Sequence, residues 1–154
     1  MDQPAHSVTV SGIIGASAEA LYAAWTDASA MSRWMGKAQA DARVGGRYRI
    51  EHEAGGRLYV HKGEYRVLEP SRRIVQTFAA GPAEREPASY AAANDEYVEV
   101  LFKPLEDGST EVTLTNGWNG GELGPDGMEA IEQAWSHWLT LLDRHIAGPS
   151  GSGG

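Results

Sequence analysis

The chain has 154 residues, long enough for one domain with a sizeable core and short for two. A formal net charge of -8 argues against nucleic acid or anionic lipid as partners, because both need clustered Lys and Arg. The sequence has no cysteine, which excludes disulfides, thiol nucleophiles and thiolate metal sites.

The start, MDQPAHSVTV, has neither a basic region nor an apolar run, so no signal peptide is expected. No stretch approaches the roughly 20 apolar residues of a membrane span. The expectation is a cytoplasmic, bacterial-style protein. Val8 to Ile14 reads as a first strand. Ser17 then caps a helix with a stripe of Leu21, Tyr22 and Trp25, and a second short helix in ASAMSRWMG is capped by Ser29 and closed by Gly36.

The stretch YRIEHEAGGRLYVHKGEYRV reads as a hairpin turning at Gly55-Gly56, because paired glycines supply the positive φ that tight turns need. That turn sets Ala54 opposite Arg57, His52 opposite Tyr59, and Ile50 opposite His61. Alternation puts Tyr48, Ile50, His52, Tyr59, His61, Gly63, Tyr65 and Val67 on one face. The other face, with Arg47, Arg49, Glu51, Val60, Lys62 and Glu64, is charged and should see water. RRIVQTFAA forms the next strand, pairing Val67 with Ile74 and Tyr65 with Gln76, so that Ile74, Gln76 and Phe78 share the tyrosine face.

GPAEREPASYAAAND has two prolines and no period, and reads as a long loop of the kind that covers a site. EYVEVLFKP and TEVTLTN make a last hairpin at Asp107-Gly108, with Val98, Val100, Phe102, Val112 and Leu114 facing in. The glycine-rich TNGWNGGELGPDG, with Trp118 exposed, reads either as a flap over the cavity or as a plain connector. MEAIEQAWSHWLTLLDRHI is an amphipathic helix through Ile131, Trp135, Trp138, Leu139, Leu142 and Ile146. Residues 1–147 read as one domain, and GPSGSGG at 148–154 as a flexible tail, native or an appended linker.

An antiparallel sheet of about six strands must cover its apolar face, and only the C-terminal helix is long enough to do so. The fold class is therefore α+β, a curved sheet wrapped around one long helix, with two short helices after the first strand.

TDASAMSRWMG, DARVGGRYRI, GEYRVLEPSRRIVQTF and TEVTLTNG, in that order and followed by a Trp-bearing terminal helix, resemble the heat-shock-protein-90 ATPase activator homologue-like family. That family belongs to the START-like, helix-grip (SRPBCC) superfamily, which includes the Bet v-like proteins. The resemblance runs from about Val8 to Ile146. It implies a cavity between helix and sheet, with Trp34 and Met35 near its mouth; Met35 stands where a second Trp is common. The superfamily holds carriers, cyclases and co-chaperone domains, so the resemblance implies a fold more than an activity.

The candidate ligand-binding residues are Trp34, Met35, Tyr48, His52, Tyr59, His61, Tyr65, Gln76, Phe78, Trp118 and Trp135. Three tyrosines, two histidines and Gln76 on one face are more polar groups than a dry core comfortably satisfies. His52 and His61 are diagonal neighbours, but a metal needs a third ligand and no nearby carboxylate points to that face. No metal, cofactor or catalytic set is assigned. The first reading is a protein that binds a small apolar or aromatic molecule, as a monomer or homodimer. The second is a co-chaperone-like protein acting on a heat-shock chaperone, although the eukaryotic activators carry an additional N-terminal domain. The third is a cyclase- or lyase-like enzyme using His52 or His61 as acid or base.

Overall fold

The computed structural model describes residues 5–90, 95–121 and 123–147. The tail expected at 148–154 lies outside them. In chain order the elements are β1 (His6–Ile14), α1 (Ala18–Thr26), α2 (Ala28–Met31), β2 (Lys37–Ala40), β3 (Arg47–Ala54) and β4 (Arg57–Glu69). There follow β5 (Arg73–Thr77), β6 (Ala79–Pro82), a 3-10 turn (Ala83–Arg85), β7 (Tyr97–Pro104), β8 (Thr110–Trp118) and α3 (Pro125–Leu142), which runs on into a π turn (Asp143–Ala147). The antiparallel sheet has the order β1-β8-β7-β5-β4-β3-β2, with β6 also on β4. This is the helix-grip architecture, with eight strands instead of about six. The two extra strands are four-residue pieces with little β-propensity, KAQA and AAGP, which are held by pairing with β3 and β4.

The hairpin has the expected register, with His52 opposite Tyr59 and Ile50 opposite His61. Gly55 and Gly56 take φ of 59° and 79°, the conformation that glycine adopts without steric penalty. Ser17 caps α1 by accepting from the Ala20 N–H. The cap of α2 is Asp27 and not Ser29: the Asp27 carboxylate accepts from the Ala30 N–H, and the Ser29 hydroxyl donates to it at 2.6 Å. A carboxylate is the stronger acceptor of the two.

The expected pairing of β4 with β5 holds at Tyr65–Gln76 and then slips. A bulge after Tyr65 sets Val67 opposite Val75 and Leu68 opposite Ile74. Leu68, not Val67, therefore packs on the core. The break between β5 and β6 falls where Gly63 meets Thr77. A Cβ on Gly63 would stand 2.0 Å from the Thr77 carbonyl oxygen, so only glycine fits.

The charged face of the hairpin is not simply solvated, since Val60 and Lys62 are both buried there. The part of the expected covering loop around Glu86 and Tyr90 lies instead on this outer face, and its residues 91–94 lie outside the described residues. Glu86 accepts from Arg49 at 2.7 and 2.9 Å and from Lys62 at 3.1 Å. These partners, Arg49 first, hold its carboxyl down at about 2. The Tyr90 ring receives Arg47 and Lys62 at 4.6 and 4.7 Å.

The inner face carries the core, with Val98, Val100, Phe102, Val112 and Leu114 buried as expected. Helix α3 crosses this face and buries Leu139 and Leu142, with Ile146 beyond them; Ile131, Trp135 and Trp138 are only partly covered. Trp118, expected exposed on a flap, is buried. β8 runs on through it opposite His6 of β1, so the start of the expected flap or connector, as far as Trp118, is strand. Among the described residues no helix is long and apolar enough to cross a membrane.

Gly63→Ala is expected to destabilise the fold by about 3 kcal/mol, as overpacking against a backbone atom does. Gly15→Ala, where an added Cβ meets nothing within 4 Å, should stay within about 0.5 kcal/mol of the parent. Urea unfolding midpoints of the two variants check the contrast.

Candidate functional site

Aromatic side chains fill most of the space between α3 and the sheet. Among the described residues a cavity of about 30 Å³ remains there, and its walls include Trp25, Trp34, Tyr48, His61, Gln76 and Phe78. That is room for one or two water molecules and far below an ordinary ligand pocket. Outside it lies a groove of about 560 Å³ between the turn that follows α2, the β3–β4 hairpin and α3. Trp34, Met35 and Trp138 line both spaces, so they form the wall between them.

Each wall residue has a local reason for its place. The Trp34 indole N–H donates to the Ala24 carbonyl at 2.8 Å, and its ring meets Trp25 edge-on at 4.8 Å. Trp138 meets Trp34 edge-on at 5.8 Å and stands against the rings of His52 (5.2 Å) and His61 (5.9 Å). At the far end the Trp135 N–H donates to Asn116 Oδ1 at 3.1 Å. Asn116 Nδ2 in turn donates to the Tyr97 carbonyl and to Glu96. Burial pushes the Glu96 carboxyl up, with the Asn116 bond working against it.

The two histidines meet Nε2 to Nε2 at 2.6 Å. His61 faces the cavity and His52 the groove, so the pair spans the boundary. One proton fits between the two nitrogens, whereas two N–H groups would point head-on at each other. The pair can pass a proton between groove and cavity, but it cannot hold two charges without opening. Burial, and then the neighbouring His52, pull the His61 imidazole down to about 3; burial also lowers His52.

Of the expected site residues, Trp34, Met35, Tyr48, His61, Gln76, Phe78 and Trp135 line the cavity. His52 lies in the groove. Tyr59 stacks on His52 outside the cavity. Tyr65 is fully buried beneath Tyr48, its hydroxyl donating to the Trp25 carbonyl at 2.9 Å. Trp118 sits apart, against His6 at the end of β8. Trp25, Ile50, Val98 and Trp138 line the cavity without having been singled out as site residues. The signal for Trp138 was its place one helical turn after Trp135. Among the described residues no group of three or more His, Asp or Glu is placed to hold a metal.

An antiparallel sheet gripping one long C-terminal helix, with a cavity between them, defines a helix-grip protein of the START-like class. The sequence matches the model for "Activator of Hsp90 ATPase homolog 1-like" proteins over residues 15–147, and the chain belongs to that family. Among solved structures it is similar to protein CV1439 from Chromobacterium violaceum, with TM-score 0.70, 23% identity, and coverage of 91% of this chain and 96% of that one. It is similar also to the Aha1 dimer from Colwellia psychrerythraea, with TM-score 0.67, 20% identity, and coverage of 93% and 97%. A third similar structure is CalU16 from Micromonospora echinospora, with TM-score 0.62, 18% identity, and coverage of 95% and 79%. No curated protein matches. Identities this low establish the shared fold and leave the activity open.

Because His61 is neutral in the folded state and an unfolded histidine titrates near 6.5, the unfolded chain binds more protons between about pH 6.5 and 3. Stability is therefore expected to fall on acidification through this window, by up to roughly 1.4 kcal/mol per pH unit from His61. His61→Phe should flatten that limb. A titration of the His61 ring by NMR with a midpoint near 6.5 would contradict the burial argument.

Proposed function

We propose that the protein binds a small apolar, aromatic-bearing molecule, admitted from the groove into the space between α3 and the sheet. The observation that supports this is the shared wall of Trp34, Met35 and Trp138, whose displacement would join the groove to the cavity. Trp34 is the fixed part, tied to α1 by its bond to Ala24. Met35 is unbranched and adaptable, and Trp138 sits on the part of α3 that is only partly covered, so these two are the movable parts. The merged volume would fall in the range of ligand pockets, roughly 300–1,000 Å³. In this reading His52 and His61 are polar lining and not a reacting pair.

The family match favours a second reading, a co-chaperone-like action on a chaperone ATPase through the outer surface. That reading makes no use of the cavity, so the same variant separates the two.

Saturable quenching of tryptophan fluorescence by a neutral naphthalene probe is expected for the parent protein. Trp138→Ala, which removes the movable wall, should speed association by about tenfold or more, because the slow step is opening. No saturable quenching in either protein would end the binding reading. Chaperone capture that survives Trp138→Ala would favour the second.

A further inference from the structure

We propose that the site selects neutral ligands headed by a hydrogen-bond donor, a phenol or aryl alcohol, with the donor seated on Gln76 Oε1. This deepens the binding reading above and rests on it.

Gln76 is a polar side chain only 6% exposed, on the cavity wall. Its backbone is held on both sides, opposite Tyr65 of β4 and Val98 of β7, so the side chain cannot turn outward without breaking the sheet. No protein donor among the described residues reaches its Oε1. The orientation of the amide follows from its neighbour. The Tyr48 hydroxyl donates its only proton to the Thr77 carbonyl at 2.6 Å, so the phenol oxygen can only accept. Gln76 and Tyr48 line the same cavity. An amide that keeps its NH₂ toward that accepting oxygen leaves its carbonyl oxygen as the surplus acceptor, and Oε1 is the buried atom without a partner.

A surplus buried acceptor discriminates by sign. A hydroxyl or aryl N–H on the ligand satisfies it. An ether or ketone sets oxygen against oxygen, and a carboxylate adds charge to the same repulsion. Among the described residues the cavity wall carries no Lys or Arg to hold an anion and no Asp or Glu to hold an ammonium. A neutral head on an aromatic body is what remains, and the indole, phenol and phenyl walls accept its ring. The present volume of about 30 Å³ takes only the head group. The ring then occupies space released by Met35 and Trp138.

Phenol, anisole and toluene, similar in shape but differing in donor, test the assignment by calorimetry or tryptophan fluorescence. Phenol should bind the parent protein roughly tenfold or more tightly than the other two, the ratio expected from one buried hydrogen bond. In Gln76→Leu that preference should disappear, with toluene binding at least as well as before. Equal affinity for all three in the parent protein overturns the donor assignment and leaves the binding reading standing. No binding of any of them, to the parent or to Trp138→Ala, removes both. The comparison of ligands on the parent protein decides even where Gln76→Leu fails to fold.

Discussion

The contact between Gly63 and Thr77 holds the two faces of the sheet in relation to each other. Because Gly63 has no side chain, the Thr77 carbonyl can lie against the middle of β4, where a Cβ would stand 2.0 Å away. That carbonyl accepts from Tyr48 at 2.6 Å on the cavity side. The Thr77 hydroxyl accepts from the Glu64 N–H at 2.8 Å and donates to the Tyr90 carbonyl at 2.7 Å on the outer side. The floor of the cavity and the segment on the back of the hairpin thus hang on one residue. The break between β5 and β6 follows from it, since the chain must leave β4 at Thr77 and rejoin it at Ala79.

The hairpin register could be read from the sequence because two physical signals agreed, the Gly-Gly turn and the alternation of side chains. Tyr48, His61 and Gln76 were placed on the right face for that reason. The signals failed where one residue breaks the period. The bulge after Tyr65 exchanges Val67 for Leu68, and no residue type in that stretch announces it. Charge also misled on the outer face. Lys62 is buried because Glu86, some twenty residues on, supplies an opposite charge and Tyr90 a ring, and pairing over that distance leaves no local trace. Trp118 misled in the reverse direction, since the glycines around it read as a flap or connector whereas β8 runs on through it.

Volume was the least legible quantity. The same alternation of aromatic residues lines an open pocket or fills a closed one, and only the fit of the rings decides. Here the chain His52, His61, Phe78, Trp135 runs ring to ring at 4.5 to 5.4 Å, with Trp138 against both histidines. Opening the wall must expose part of Trp138. A whole buried Trp side chain hides on the order of 150–250 Å², worth roughly 25 cal/mol per Å². Trp138 is already partly exposed, so its displacement costs a fraction of that sum, and a ligand ring in the same place restores it. In the binding reading proposed above, the space that the ligand would take is filled by the protein's own rings, and the wall that closes it includes the only partly covered Trp138.

The electrostatics of the cavity run opposite to those of the whole protein. The chain carries a net charge of -8, yet the two titratable groups among the described residues of the cavity wall, Tyr48 and His61, are neutral near pH 7. Burial keeps the Tyr48 phenol protonated, and burial with His52 nearby keeps the His61 imidazole unprotonated. The charges of the hairpin are gathered on its other face, where Arg49, Lys62 and Glu86 satisfy one another. Segregating them there leaves a polar but uncharged inner surface, on which hydrogen-bond direction can discriminate between molecules that differ little in shape. The tyrosine and histidine face of the hairpin fits that division: the hydroxyls of Tyr48 and Tyr65 and the Nε2 atoms of the histidine pair find partners within the protein, and among the described residues Gln76 Oε1 is a buried acceptor left over.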